Sequence, residues 1–150
     1  MRIDIEKKTV AIVKQKYLEK AERMFKGTEI VIRVDGGKYL GVGIGTEEYR
    51  RNYLKEKVQI WIQHIEKISE YTEANPHECY SCLTKSLVSS WRFVLRTMGC
   101  FSDELEELDK AIDQYFIKTL LHHDPDHIER LMISMPCREG GLGIPILQDL

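Results

Sequence analysis

The stretch GGKYLGVGIG, residues 36–45, constrains the fold most, because the hydrophobic pattern changes there. Before it, Thr28 to Val34 alternates apolar and polar side chains with a period of two, which predicts a strand with one buried face. The glycine-containing turn Asp35-Gly36-Gly37 follows, so we predict that this strand pairs with Lys38 to Ile44 in a β-hairpin.

Three glycines alternate with apolar residues in the second predicted strand. Gly41, Gly43 and Gly45 fall on the same face, where they provide no side chains. A strand of this kind allows another backbone or a ligand to approach closely. We therefore expect a close-approach surface on this hairpin.

Upstream of the hairpin, Thr9 to Val13 predicts a short strand and Gln15 to Phe25 predicts a helix. Downstream, four helices are predicted from their caps and apolar spacing. Their expected starts are Thr46, Asn75-Pro76, Ser102 or Asp103, and Asp124-Pro125. Trp61 and Trp91 lie in the middle of the two longest apolar stripes, so we expect them to pack the two long helices together. The sequence predicts an α+β fold.

Composition excludes some classes of protein. The formal net charge is -2, which argues against a uniformly basic nucleic-acid coat but allows a local basic face. No run of 18 apolar residues is present, so neither a membrane span nor a signal peptide is predicted. The four cysteines are therefore expected to be reduced thiols inside the cell, in the cytoplasm or nucleus.

Six segments in order resemble the C-terminal part of retroelement reverse transcriptases. They are KTVAIVK (8–14), KGTEIVI (26–32), GGKYLGVGIG (36–45), the helix from Tyr49 to Trp61, NPHECYSCLTKSLVSSWRFVLRT (75–97) and MPCREGGLGI (135–144). The resemblance implies that residues 1–48 are the end of a palm subdomain with a primer-grip-like hairpin. It implies that residues 49–150 are a thumb-like bundle of about four α-helices.

The resemblance also implies a set of nucleic-acid-binding residues. Lys8 matches a palm lysine near the leaving pyrophosphate, where a cation lowers the barrier, although a solvated lysine at a strand edge is the favoured explanation within this chain. The hairpin residues expected to contact primer are Gly36, Gly37, Lys38, Tyr39, Leu40 and Gly41.

The sequence departs from the family pattern at the catalytic metal site. These polymerases need a Tyr-x-Asp-Asp turn to hold two Mg²⁺ ions, and no Asp-Asp pair is present here. We therefore expect no catalytic residue, no cofactor of this chain's own and no polymerase activity by the chain alone. Mg²⁺ is expected only together with a separate N-terminal polymerase portion that carries the aspartates.

The second long helix carries a candidate basic face. Lys85, Arg92 and Arg96 follow helical spacing opposite the apolar stripe, where they can contact phosphates of an RNA/DNA or DNA duplex. An ordinary solvated helix face is the alternative explanation. A helical scaffold protein that binds no nucleic acid is thus the alternative function.

A zinc site is the third hypothesis. Cys79 and Cys82 form a C-x₂-C pair, and three histidines lie near residue 122. The pair falls inside a predicted helix instead of a knuckle turn, so we expect the cysteines to be small core residues and predict no metal site.

Overall fold

The computed structural model describes residues 9–98 and 102–149. It confirms the α+β class, with two small sheets followed by a helical bundle. The chain forms two compact units, the first ending at Tyr53 and the second beginning at Leu54.

The first unit contains a small parallel sheet. Strand β1 (Val10–Ile12) pairs with β2 (Val31–Arg33), with Val10 opposite Val31. Parallel strands require a crossover connection, and here it is the 3₁₀ turn Gln15–Tyr17 followed by α1 (Leu18–Met24). The first predicted strand and helix are therefore present.

The hairpin is shifted along the chain from its predicted place. Strands β3 (Gly36–Tyr39) and β4 (Val42–Gly45) are antiparallel, and Tyr39 lies opposite Val42. The predicted pairing of Thr28 to Val34 with Lys38 to Ile44 around Asp35-Gly36-Gly37 is wrong. The first of these segments pairs with β1 instead, a non-local partner that local turn chemistry does not reveal.

The turn of the hairpin consists of Leu40 and Gly41. Their φ angles are 48° and 88°, and a type I′ turn needs positive φ at both central residues. Leucine rarely adopts this conformation, which explains why the sequence pattern did not indicate the turn.

The described part of the chain contains five helices, of which α1 precedes the hairpin and four follow it. Helix α2 is Glu47–Thr72, and its predicted cap is confirmed because Thr46 Oγ1 accepts a hydrogen bond of 3.2 Å from the Tyr49 amide. Helix α3 covers residues 76–98, as Pro76–Ser81, a π-helical segment Cys82–Leu87 and Val88–Met98. Helix α4 covers residues 102–121, as Ser102–Ala111, a second π-helical segment Ile112–Ile117 and Lys118–Leu121.

Helix α5 is His127–Ser134. It starts slightly later than predicted, because its cap is Asp126 and not Asp124. Asp126 Oδ1 accepts from the Glu129 amide at 2.8 Å, while a Glu129 carboxylate oxygen accepts from the Asp126 amide at 2.9 Å. This reciprocal capping box fixes the first turn.

The core of the second unit is helical and aromatic. The ring centroids of Trp61 and Trp91 are 6.0 Å apart and the rings are tilted by 45°, so the predicted contact between the long helices is confirmed. The completely buried residues around them come from three helices and the C-terminal segment: Leu54, Ile65, Leu83, Leu105, Leu108, Ile112, Phe116, Ile117, Ile144 and Leu147.

The segment after α5 closes this core. It contains two 3₁₀ turns, Cys137–Glu139 and Leu147–Asp149. The amides of Leu142 and Ile144 both donate to the Ile133 carbonyl, at 3.1 and 3.3 Å, so the segment caps the end of α5. None of the helices in residues 9–98 and 102–149 has the length and apolarity to cross a membrane.

Candidate nucleic-acid interface

The three predicted cations of α3 are all exposed. Lys85, Arg92 and Arg96 carry accessible side chains, while Trp91 and Val94 on the opposite face are buried. Within the part of the chain that the structure describes, none of the three cations forms a salt bridge with a carboxylate. Their charges are therefore available to an external anion.

The sequence around these cations contains no acid. From Cys79 to Ser102 there is no aspartate or glutamate, although the whole chain has more acidic than basic residues. The stretch 79–102 therefore carries a local positive charge within a chain whose net charge is negative. This local imbalance distinguishes the α3 surface from an ordinary mixed-charge helix face.

The π-helical segment changes the position of Lys85. The Val88 amide donates to the Leu83 carbonyl, five residues back, so the wide turn takes up one more residue than an α-turn. Lys85 lies inside this turn, and its helical phase with Arg92 is no longer the one that regular α spacing predicts. Arg92 and Arg96 lie in regular α-helix and remain on one face.

Phe93 is a further exposed residue of this surface that was not predicted from the sequence. Its side chain is 53% exposed, and it occupies the same α-helical face as Arg92 and Arg96. The signal was present in the sequence, because position 93 does not belong to the apolar stripe that contains Trp91 and Val94. An exposed aromatic side chain between two arginines is a combination found in nucleic-acid-binding surfaces.

The predicted hairpin residues divide into a buried base and an exposed tip. Gly36 and Gly37 are buried, whereas Lys38, Tyr39 and Leu40 are exposed, the last two by 61% and 76%. The tip therefore presents one cation, one aromatic ring and one aliphatic side chain to solvent.

The hairpin is held in place by tyrosines from the start of α2. Tyr53 donates a hydrogen bond of 2.8 Å from its hydroxyl to the Gly41 carbonyl. A Cβ at Gly43 would lie 3.0 Å from the ring of Tyr53, and one at Gly36 would lie 2.5 Å from the ring of Tyr49. The glycines thus permit α2 side chains to pack against the hairpin, and the Tyr53 hydrogen bond joins its turn to α2.

The close-approach prediction is wrong for Gly41. A Cβ built there has no atom within 4 Å, and the residue is needed for its φ of 88° at the turn. The prediction does hold at Gly43, where the approaching group is a tyrosine ring.

Two further predictions concern Lys8 and the metal. Lys8 lies outside the described residues. Within residues 9–98 and 102–149, no group of three or more histidine, cysteine, aspartate or glutamate side chains is placed to hold a metal ion. Cys79 is buried, Cys82 and Cys137 are exposed, and all three are free thiols.

A cluster of buried charges in the helical unit was also not predicted from the sequence. The Asp109 carboxylate accepts hydrogen bonds from the backbone amides of Leu147 and Gln148, and an Arg130 guanidinium nitrogen lies 3.8 Å from it. Burial raises the pKa of Asp109, an effect that the donated amide hydrogen bonds and the arginine partly offset. These groups hold the C-terminal segment and form no open site, so their role is structural.

The sequence matches no protein-family model, no curated protein and no solved structure. The functional interpretation consequently depends on the residues themselves.

Proposed function

We propose that this chain binds the sugar-phosphate backbone of a nucleic-acid duplex, and that it holds primer and template for an RNA-directed DNA polymerase. The observation that carries the proposal is the exposure of Lys85, Arg92 and Arg96 on α3, in a stretch of sequence (79–102) without aspartate or glutamate. Unpaired cations on a rigid helix attract phosphates and release their counterions, which gives affinity without sequence preference.

The hairpin tip provides a second contact surface in the first unit. Lys38 supplies a charge, and Tyr39 and Leu40 supply apolar area, on a turn that Tyr53 fixes in place. Preorganisation of this kind reduces the ordering cost of binding. In this proposal the partners are an RNA/DNA or DNA duplex and a polymerase portion that carries the catalytic aspartates, and the chain works in the cytoplasm or nucleus.

The proposal assigns no nucleotide-transfer chemistry to this chain. A two-metal mechanism needs paired carboxylates, and the sequence has no adjacent aspartates. Purified protein should therefore extend no primer in Mg²⁺ or Mn²⁺. Template-dependent extension by clean protein would contradict this part of the proposal.

Duplex binding as a function of salt concentration tests the main claim. Each phosphate-binding cation contributes about 0.9 to the slope of log affinity against log salt on duplex DNA. Alanine at Lys85, Arg92 and Arg96 together should flatten the slope by up to about 2.7. Surface substitutions usually change stability by less than about 0.5 kcal/mol, so the variant should remain folded by circular dichroism.

A matched control removes the same total charge elsewhere. Lys20, Lys55 and Lys67 are exposed and lie outside α3, so their triple alanine variant should keep nearly the wild-type slope. Equal slopes for wild type and the α3 variant, or no duplex binding by wild type at low salt, would favour the helical scaffold as the function.

A further inference from the structure

One face of the regular part of α3 combines two arginines with an aromatic ring. Ser89, Arg92, Phe93 and Arg96 are spaced i, i+3, i+4 and i+7 within Val88–Met98 and are all exposed. Residues at these intervals are neighbours on a helix surface, about 5–6 Å apart between Cβ atoms. Arg96 is thus a helix-surface neighbour of both Arg92 and Phe93, and the ring lies beside this pair of arginines.

The outward position of Phe93 contrasts with the rest of this helix. The Phe93 ring is 53% exposed, yet the segment buries five other apolar side chains, those of Val88, Trp91, Val94, Leu95 and Met98. A single exposed apolar residue has no special meaning on its own. Here it lies beside two exposed arginines in the stretch 79–102, which has no acidic residue, so its surroundings favour an anionic partner with an apolar or aromatic component.

We propose that Arg92, Phe93 and Arg96 form a stacking site for an unpaired nucleobase, so that α3 binds single-stranded nucleic acid. The arginines would contact successive phosphates while a base stacks on the Phe93 ring. Every base has a π face, so binding of this kind tolerates any sequence. This inference rests on the proposed function and extends it, because backbone binding alone requires no aromatic residue.

The exposed Phe93 ring favours a single-stranded ligand over a duplex. In a duplex the bases are stacked on one another and paired, and an exposed helix surface reaches only phosphates, sugars and groove edges. In a single strand the bases are free to stack on an aromatic side chain. Phe93 should therefore contribute to single-strand binding and contribute little to duplex binding.

The experiment compares a fluorescent oligothymidine with a DNA duplex of the same length, titrated with the full chain at several salt concentrations. Phe93→Ala should weaken binding of the single strand by a factor of about 5 to 100 and leave duplex binding unchanged. The salt slope should not change, since no counterion is released by a stacked ring. Arg92→Ala with Arg96→Ala should instead flatten the slope for both ligands.

Two further variants separate stacking from other contributions of the ring. Phe93→Trp keeps an aromatic surface and should bind the single strand at least as well as wild type, whereas Phe93→Leu keeps an apolar side chain and should bind like Phe93→Ala. Tyr71→Ala removes another exposed aromatic residue, 63% accessible on α2, and should leave binding unchanged.

The failures that would overturn each proposal are distinct. Wild-type affinity of Phe93→Ala or Phe93→Leu for the single strand would overturn the stacking site while the proposed duplex function stands. Equal loss of single-strand and duplex binding by Phe93→Ala would also overturn the stacking site, and so would binding of the duplex alone by wild type. The face with Arg92, Phe93 and Arg96 would then be assigned to backbone contact or to an acidic protein. Failure of wild type to bind either ligand at low salt would remove both proposals.

Discussion

Arg130 and Asp113 are joined by a hydrogen bond of 2.6 Å from Nε to Oδ1, inside the helical unit. The two other guanidinium nitrogens of Arg130 donate to the carbonyls of Ile144 and Pro145, at 3.0 and 2.9 Å. A single side chain from α5 therefore links α4 to the C-terminal segment. Because a charge-assisted hydrogen bond is stronger than a neutral one, this link fixes the segment against the bundle.

Replacement of Arg130 by methionine should destabilise the protein strongly. The change leaves Asp113 and two backbone carbonyls without their donor and removes the positive charge 3.8 Å from Asp109, and breaking a buried ion pair from one side costs about 3–5 kcal/mol. Urea unfolding measures this loss. Arg138→Ala is the matched control, since that side chain is 82% exposed and its loss should cost less than about 0.5 kcal/mol.

A second substitution tests whether the loss comes from uncompensated charge. In the Arg130→Met background, Asp113→Asn removes one of the carboxylates that has lost its partner, so part of the stability should return. Additive destabilisation by the two changes would show that the pair acts only through packing.

Gly141→Ala should also destabilise the C-terminal segment. A Cβ at this position would overlap the carbonyl of Met135 and lie 2.5 Å from the carbonyl oxygen of Met132, and both atoms belong to backbone that cannot move easily. Overpacking of this kind costs about 1–3 kcal/mol. Thermal unfolding should show a clearly lower midpoint than Gly140→Asn, which meets no atom within 4 Å and keeps a residue tolerant of the φ of 90°. Equal midpoints would contradict the overlap.

The sequence was a good guide where local chemistry decides the structure. The cap at Thr46, the proline start of α3 and the contact of Trp61 with Trp91 all depend on short-range preferences or long apolar stripes. Such features leave a clear signal in the amino-acid order. The α+β class follows from them.

The features that were predicted wrongly or not at all depend mostly on contacts between residues far apart in the sequence. Strand β2 has the alternation of a hairpin strand, but its partner is β1, and a parallel pairing leaves no turn in the sequence. The carboxylates of Asp109 and Asp113 meet Arg130 only after the bundle forms. The π-turn that moves Lys85 also has no reliable sequence signal, so helical spacing alone placed that residue with Arg92.

The His123–Glu129 pair should make stability depend on pH near neutrality. His123 Nε2 lies 3.0 Å from Glu129 Oε1, and the hydrogen bond to this carboxylate raises the pKa of His123 above its ordinary value of 6.5. A raised folded-state pKa contributes stability that is fully present below the unfolded pKa, about 6.5, and is lost as pH rises through the folded value. Both side chains are exposed, so the contribution is small.

NMR titration of the His123 imidazole measures this effect. In Glu129→Gln the pKa of His123 should fall toward its ordinary value, while the glutamine still accepts from the Asp126 amide and preserves the capping box. An unchanged pKa of His123 in this variant would show that the carboxylate is not the cause of the shift.

Leu40→Asn is expected to raise stability and lower nucleic-acid affinity at the same time. Leu40 has a φ of 48°, a left-handed conformation that is unfavourable for leucine and that asparagine tolerates. With Gly41 next in the chain, the substitution creates the Asn-Gly pair preferred in type I′ turns, so the free energy of unfolding should increase by about 0.5–1 kcal/mol. The same change removes an aliphatic side chain that is 76% exposed at the hairpin tip. Strain at an exposed apolar residue is consistent with selection for contact, so affinity for an RNA/DNA hybrid should fall.

Gly41→Val is the stability control for this prediction. The variant should unfold at a lower temperature, because a β-branched residue is unfavourable at a φ of 88° even though its side chain meets no neighbour. If Leu40→Asn binds the hybrid as tightly as wild type, the hairpin tip does not contact nucleic acid, and binding must be assigned to α3 alone.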